Sequence, residues 1–134
     1  MTHPHVGKIY TDEQTNSTVG PHQLPVPMNW KVLVQPHEPK RKTEGGIFLP
    51  TETIQNEEYL TAYGIIAAMG DLAYRDRDTG ERWKTIAPSI GQRVTYGKYA
   101  GQKLVVNGVK FLLLNDDEIT SIIPEGVEVA AYVP

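Results

Sequence analysis

Cysteine is absent from all 134 residues, which excludes disulfide frameworks, thiolate metal sites and cysteine nucleophiles together. Long apolar runs are lacking too. None approaches the ~18–20 residues of a membrane-crossing helix, and the opening stretch MTHPHVGKIY has no signal-peptide core. Excess positive charge is also missing: the net charge of −3 supplies no electrostatic footprint for nucleic acid or for an anionic membrane. There is no Gly-x-Ser-x-Gly elbow, no P-loop and no Rossmann glycine signature after a strand. His37, set between Pro36 and Pro39, is the only histidine beyond the first 27 residues, so a serine–histidine pair or a zinc hydrolase centre has no support. The expectation is a cytoplasmic protein that is not an enzyme and carries no cofactor of its own.

What remains is one domain's worth of chain, with 40% hydrophobic and 22% charged residues, a balance that suits a globular fold rather than disorder. Residues 1–27 stand apart. Pro4, Pro21, Pro25 and Pro27 punctuate a polar stretch in which Val6, Ile9, Val19 and Leu24 are scattered without period, so an extended or partly disordered arm is expected. His3, His5 and His22 lie in this arm with no further ligand at a set spacing, which favours a solvated segment over a metal site.

From Met28 the pattern turns to strands. Trp30-Lys31-Val32-Leu33-Val34-Gln35 is an extended run stopped by Pro36, and Gly64 to Gly70 is a second, whose small unbroken apolar content suits burial on both faces. Tyr74 to Trp83 reads as a charged hairpin, with Gly80 taking the positive φ that closes Asp78-Thr79-Gly80. Another strand ends at Tyr96. Leu104-Val105-Val106 and Val109 to Leu114, joined by Asn107-Gly108, form the strongest hairpin signal in the chain. Asp116-Asp117-Glu118 is a turn whose first carboxylate is expected to accept from nearby backbone N–H groups rather than to hold a cation. Ile119 to Ile123 is the closing strand, and residues 125–134 are a tail. Short strands at regular spacing, with no amphipathic helix, define an all-β fold, a small barrel or sandwich over residues 28–124.

Between the first two strands lies a long polar stretch, residues 43–63, with one apolar triplet, Ile47-Phe48-Leu49, fenced by Gly45-Gly46 and Pro50. Consecutive apolar residues point to both faces of an extended segment and so do not suit a half-buried strand. Two readings stand at this point: a short buried strand, or a flexible arm carrying an apolar hook to a partner.

The order of these features resembles the GroES-type ten-kilodalton co-chaperonins. Trp30 to Val34 is similar to that family's opening strand, and Gly45-Gly46-Ile47-Phe48-Leu49-Pro50 to the signature of its mobile loop. Gly64 to Gly70 resembles its Gly-x-Val-x-Ala-x-Gly strand, and Ile90-Gly91-Gln92-Arg93-Val94 its Val-Gly-Asp-x-Val step. Lys98-Tyr99-Ala100-Gly101 is similar to its Lys-Tyr-x-Gly, and the Asp116 to Ile119 turn to its Glu-Asp-Asp-Ile. The loop is longer than in typical bacterial members and Phe48 is bulkier than the usual residue there, departures that resemble virus-encoded co-chaperonins.

The resemblance implies a partly open GroES-like barrel with a long mobile loop (about residues 43–63) and a roof hairpin (about residues 74–84). It further implies a homo-heptameric ring that caps an ATP-bound, GroEL-type double-ring chaperonin and encloses non-native polypeptide, with ATP bound and hydrolysed only by that partner. By position, Gly45, Gly46, Ile47, Phe48, Leu49 and Pro50 are the chaperonin-docking residues. Asp78, Thr79, Gly80 and Glu81 are the roof, and the compartment is the cytoplasm, or the host's cytoplasm for a viral member. The alternative from another class is a nucleic-acid-binding OB-like barrel, against which the acidic balance argues.

Overall fold

The computed structural model describes residues 8–12, 15–37 and 61–129. Eight strands occur among them: β1 (Tyr10–Thr11), β2 (Thr18–Val19), β3 (Lys31–Pro36), β4 (Thr61–Met69), β5 (Arg93–Gly97), β6 (Gln102–Val106), β7 (Val109–Asn115) and β8 (Ile119–Ile123). The only helical pieces among the described residues are single 3₁₀ turns at Pro21–Gln23 and Asp116–Glu118. The larger sheet is antiparallel throughout, in the order β6-β7-β3-β4-β5-β8. Its edge strands β6 and β8 do not pair with each other, so the barrel is partly open. Register shifts at Leu33/Val34 against β4 and at Thr95/Tyr96 against β8 bend the strands, as bulges do in curved sheets.

Local chemistry explains the elements. Asn107 and Gly108 both take positive φ, 48° and 85°, and join Val106 to its partner Val109 in the two-residue turn expected of Asn-Gly. Pro36 continues β3 by one residue instead of stopping it. The pairing of β3 with β7 already ends at Val34, while Pro36 still stands opposite Gly64 of β4. The missing proline N–H therefore costs no ladder bond there. β4 begins at Thr61, earlier than its glycine boundary suggested.

Two apolar clusters lie on the two faces of this sheet. One joins Val32, Val34, Ile66, Tyr74, Val94, Tyr96, Leu112 and Leu114. The other joins Leu33, Ala67, Ala68, Val109 and Phe111 to Tyr10, Val19 and Leu24. The segment expected to be an extended arm thus folds in part over the sheet. Tyr10, Val19 and Leu24 are buried, and β1 pairs with β2. Scattered apolar residues without period concealed this, because the segment buries single anchors rather than a face. At the other end, Arg93 donates to the carbonyls of Pro124 (2.8 Å) and Val127 (2.7 Å), and residues 124–129 add no strand.

Gly64 has a specific cause. A Cβ there would lie 2.3 Å from the Gln35 carbonyl oxygen and 2.8 Å from a Val34 methyl, so β3 and β4 approach closely only because that atom is missing. Gly64→Ala is expected to lower stability by about 1–3 kcal/mol, as overpacking does. Gly97→Ala, with nothing within 4 Å of its Cβ, is expected to stay within about 0.5 kcal/mol. Denaturant midpoints of the two variants check the contrast.

Candidate functional site

Two regions carry the candidate residues. The first is the connection between β3 and β4. Gly45, Gly46, Ile47, Phe48, Leu49 and Pro50 lie outside the described residues, but the base from which they spring is described. His37 donates its backbone N–H to the Tyr63 carbonyl (2.9 Å), and the two rings stack with centroids 4.9 Å apart and planes 25° from parallel. Since β3 and β4 are adjacent and antiparallel, the connection leaves and re-enters the sheet at one place. Burial raises the Tyr63 hydroxyl pKa, partly offset by the nearby Arg93 charge, so this phenol stays neutral at physiological pH.

The second region is the hairpin between β4 and β5. It is less of a ribbon than its charges suggested, since the only ladder contact is a single bridge between Arg75 and Arg82. Its shape comes from the turn. Asp76 accepts from the backbone N–H groups of Asp78 (2.8 Å) and Thr79 (2.9 Å) through one carboxylate oxygen. Its own backbone closes the loop, with Asp76 N–H donating to the Glu81 carbonyl and Gly80 N–H to the Asp76 carbonyl. Gly80 sits at φ 75°, as its place in the turn demands. Arg75 donates to the Gly80 carbonyl (3.0 Å), and the Thr79 hydroxyl accepts from Glu81 N–H (3.2 Å). Asp78, Thr79, Gly80 and Glu81 are all exposed at the tip. The two N–H groups that favour its ionised form hold the Asp76 carboxyl below its ordinary 3.8.

The hairpin is fastened to the barrel by one buried carboxylate. Asp116, 1% exposed, begins the turn between β7 and β8. Its carboxylate accepts from its neighbour Asp117 N–H (2.8 Å), as the turn reading expected. It also accepts from Tyr74 N–H (3.0 Å) across 42 residues, and it pairs with Arg77 at 3.4 Å. The Tyr74 hydroxyl donates to the Asp116 carbonyl (2.9 Å), so backbone and side chain of Tyr74 converge on one residue. Tyr74 itself is held at φ 61°, a left-handed conformation that costs a bulky residue on the order of 1–3 kcal/mol. Burial first, and the Asp116 and Asp117 charges second, raise its phenol pKa far above the usual value.

Aromatic rings complete the seat. Trp83 meets Tyr74 edge to face at 5.0 Å, Trp30 donates its indole N–H to the Arg75 carbonyl (3.2 Å), and the Arg77 guanidinium lies over the Trp30 ring at 4.7 Å. Such stacking suits arginine's planar, weakly hydrated head. The sequence located the charged tip but missed this anchor, because a contact between Asp116 and Tyr74 has no local signature. The available signal was two aromatics, Tyr74 and Trp83, flanking an otherwise charged ribbon.

The class follows from these parts: an all-β, partly open barrel that presents one long connection and one anchored polar hairpin. Sequence comparison makes it specific. The sequence model of the family described as "Chaperonin 10 Kd subunit" matches residues 26–123. A "Co-chaperonin GroES" of Treponema denticola is 33% identical over 97 residues, which is 72% of this chain and 94% of the relative. A "Co-chaperonin GroES" of Rhodobacter capsulatus is 32% identical over 99 residues, 72% of this chain and 95% of the relative. The "20 kDa chaperonin, chloroplastic" of Arabidopsis thaliana is 34% identical over 108 residues, 80% of this chain and 40% of that longer protein. This chain belongs to the chaperonin 10 Kd subunit family, the GroES-type co-chaperonins.

Two outcomes test the hairpin's construction. Asp116→Ala removes the acceptor from the Tyr74 N–H and the partner from Arg77. It is expected to cost about 1–3 kcal/mol and to speed amide exchange of Asp76 and Gly80 more than that of the β3–β7 ladder, read by hydrogen-exchange NMR. Asp76 gives a pH signature. Its pKa is depressed in the folded chain, so its contribution is complete above the unfolded value of 3.8 and disappears as pH falls through the lower folded value. The Asp78 and Thr79 amide signals are expected to lose their folded shifts only below that value, and in Asp76→Asn to show no such titration.

Proposed function

We propose that this co-chaperonin acts as a non-enzymatic lid. A homo-heptameric ring of it caps a GroEL-type double-ring chaperonin in its ATP-bound state and encloses non-native polypeptide while that folds. The observation that carries the reading is the position of Gly45-Gly46-Ile47-Phe48-Leu49-Pro50. The motif falls inside the family-matched span and inside the connection between β3 and β4, whose two ends are pinned together at His37 and Tyr63. The six strands of the larger sheet pair with one another without residues 38–60, which supports giving the triplet to a partner.

The energetics favour a weak, repeated contact. Burying three large apolar side chains yields roughly 1.5–3 kcal/mol each, about 5–9 kcal/mol in all. Ordering the backbone that carries them costs about 1–2 kcal/mol per fixed residue, which cancels most of that gain once a handful of residues is fixed. One loop therefore binds feebly. Several loops on one ring bind tightly, because the first contact raises the effective concentration of the rest. Such a cap is released by a slight weakening of every contact, which is what a change of nucleotide state in the partner supplies. Binding and hydrolysis of ATP belong to the chaperonin in this reading, and the compartment is the cytoplasm, the host's if the chain is viral. The exposed tip Asp78, Thr79, Gly80 and Glu81 forms the roof of the lid, its direction set by the Asp116 anchor.

Phe48→Glu is expected to abolish co-sedimentation with a chaperonin and ATP, and with it assisted refolding, while the ring's own sedimentation coefficient stays unchanged. Refolding at the unmodified rate with this variant would overturn the docking assignment. A wild-type chain that sediments as a monomer and never joins the chaperonin would overturn the lid itself.

A further inference from the structure

Residues 8–12 and 15–24 precede the span that the family model matches, yet they are seated on the barrel. β1 and β2 form a hairpin of two residue pairs, Tyr10 with Val19 and Thr11 with Thr18, closed by Asp12 N–H to the Ser17 carbonyl (3.0 Å) and Asn16 N–H to the Asp12 carbonyl (2.9 Å). Two-stranded hairpins do not hold in water by themselves, least of all at this length. Its order comes from its seat. Tyr10 meets Phe111 edge to face at 5.8 Å, Val19 and Leu24 are buried in the same cluster, Gln35 donates to the Thr11 carbonyl (2.9 Å), and Ser17 fills the space over Gly108.

The seat also contains a fault. The Tyr10 hydroxyl is buried with no hydrogen-bond partner among the described residues, and burial pushes its pKa up. A buried donor left unpaired destabilises the state that buries it and is relieved as soon as water reaches it. The segment is held to the sheet by apolar anchors and polar contacts rather than by a ladder, and the unpaired hydroxyl reduces the net gain of seating it. Beneath it lie Leu33, Ala67, Ala68, Val109 and Phe111, an apolar face on strands whose ladders do not involve the segment.

We propose that residues 8–12 and 15–24 are a displaceable cover, and that the face under them is a docking surface for an extended segment carrying a tyrosine and two aliphatic anchors. The occupant is this chain's own segment. Lifting it uncovers the face without breaking a single pairing of the six-stranded sheet, which makes the cover a separate, low-stability unit of the fold.

Native-state hydrogen exchange on the full chain reads the opening directly. The Asp12 and Asn16 amides are expected to exchange at least 100-fold faster than those of the β3–β7 ladder. Tyr10→Phe, which keeps the ring and removes the unpaired hydroxyl, is expected to slow exchange at Asp12 and Asn16 about tenfold, the factor set by about 1.4 kcal/mol, and to leave the ladder amides unchanged. Val19→Asp unseats the cover. A fluorescein-labelled peptide of residues 8–24 is then expected to bind the full-length Val19→Asp chain, by anisotropy, and not the wild type. Equal exchange rates for cover and ladder, no slowing in Tyr10→Phe, or loss of the unfolding transition in Val19→Asp would each show the segment to be an inseparable part of the core. A folded Val19→Asp chain that ignores the peptide would remove the docking surface.

Discussion

Val32, Leu33 and Val34 stand side by side in β3 with no exposure, and the rest of the molecule is arranged to make that possible. Successive residues of a strand point to opposite faces, so three in a row are buried only when the sheet is covered on both. Strands β4 and β7 flank β3 and supply the ladders. Leu112 and Leu114 stand beside Val34 and Val32 as their cross-strand partners, and Val94 and Tyr96 of β5 join the same cluster. The opposite face, under Leu33, is closed by Tyr10, Val19 and Leu24, from the segment ahead of the family-matched span. The addition at the N-terminus and the central strand are two halves of one solution.

The same strand sets where the long connection and the hairpin leave the sheet. β3 ends at Pro36 and hands the chain to the long connection, which returns into β4 at the neighbouring position. At its other end, Trp30 lies just ahead of β3, under the Arg77 guanidinium and within hydrogen-bond reach of Arg75. The long connection and the hairpin thus leave from opposite ends of the pair β3 and β4. The charged tip is free to be hydrophilic because Asp116 and the aromatic rings, rather than the tip, hold its direction.

Much of this was legible in the sequence, for reasons that differ by element. The strands and the Asn107-Gly108 turn were readable because period and turn chemistry act locally. Gly80 was readable because a tight turn needs a positive φ. The family was readable from motifs in order. Two things were not. The seat of Tyr10, Val19 and Leu24 depends on irregular spacing and on packing against residues far along the chain, and no period announces that. The Asp116 anchor depends on a contact across 42 residues, and a carboxylate in an acidic run looks like any solvated turn. In both cases long-range burial decided the outcome, against a local pattern that pointed to solvent.

The pairing of Leu33 with Leu113 also bears on how the chain is expected to fold. β6 and β7 are joined by two residues and are expected to pair early, since closing a short loop costs little entropy. The second ladder of β3 needs β7 in place. As the chain is synthesised, Val32 to Val34 emerge long before their β7 partners, and β4 alone satisfies only one side of the strand. For that interval a strand with three apolar residues in a row has an open edge, the condition under which chains aggregate. The segment ahead of β3 is by then already made and carries Tyr10, Val19 and Leu24, ready to cover one face of the strand before its second neighbour exists.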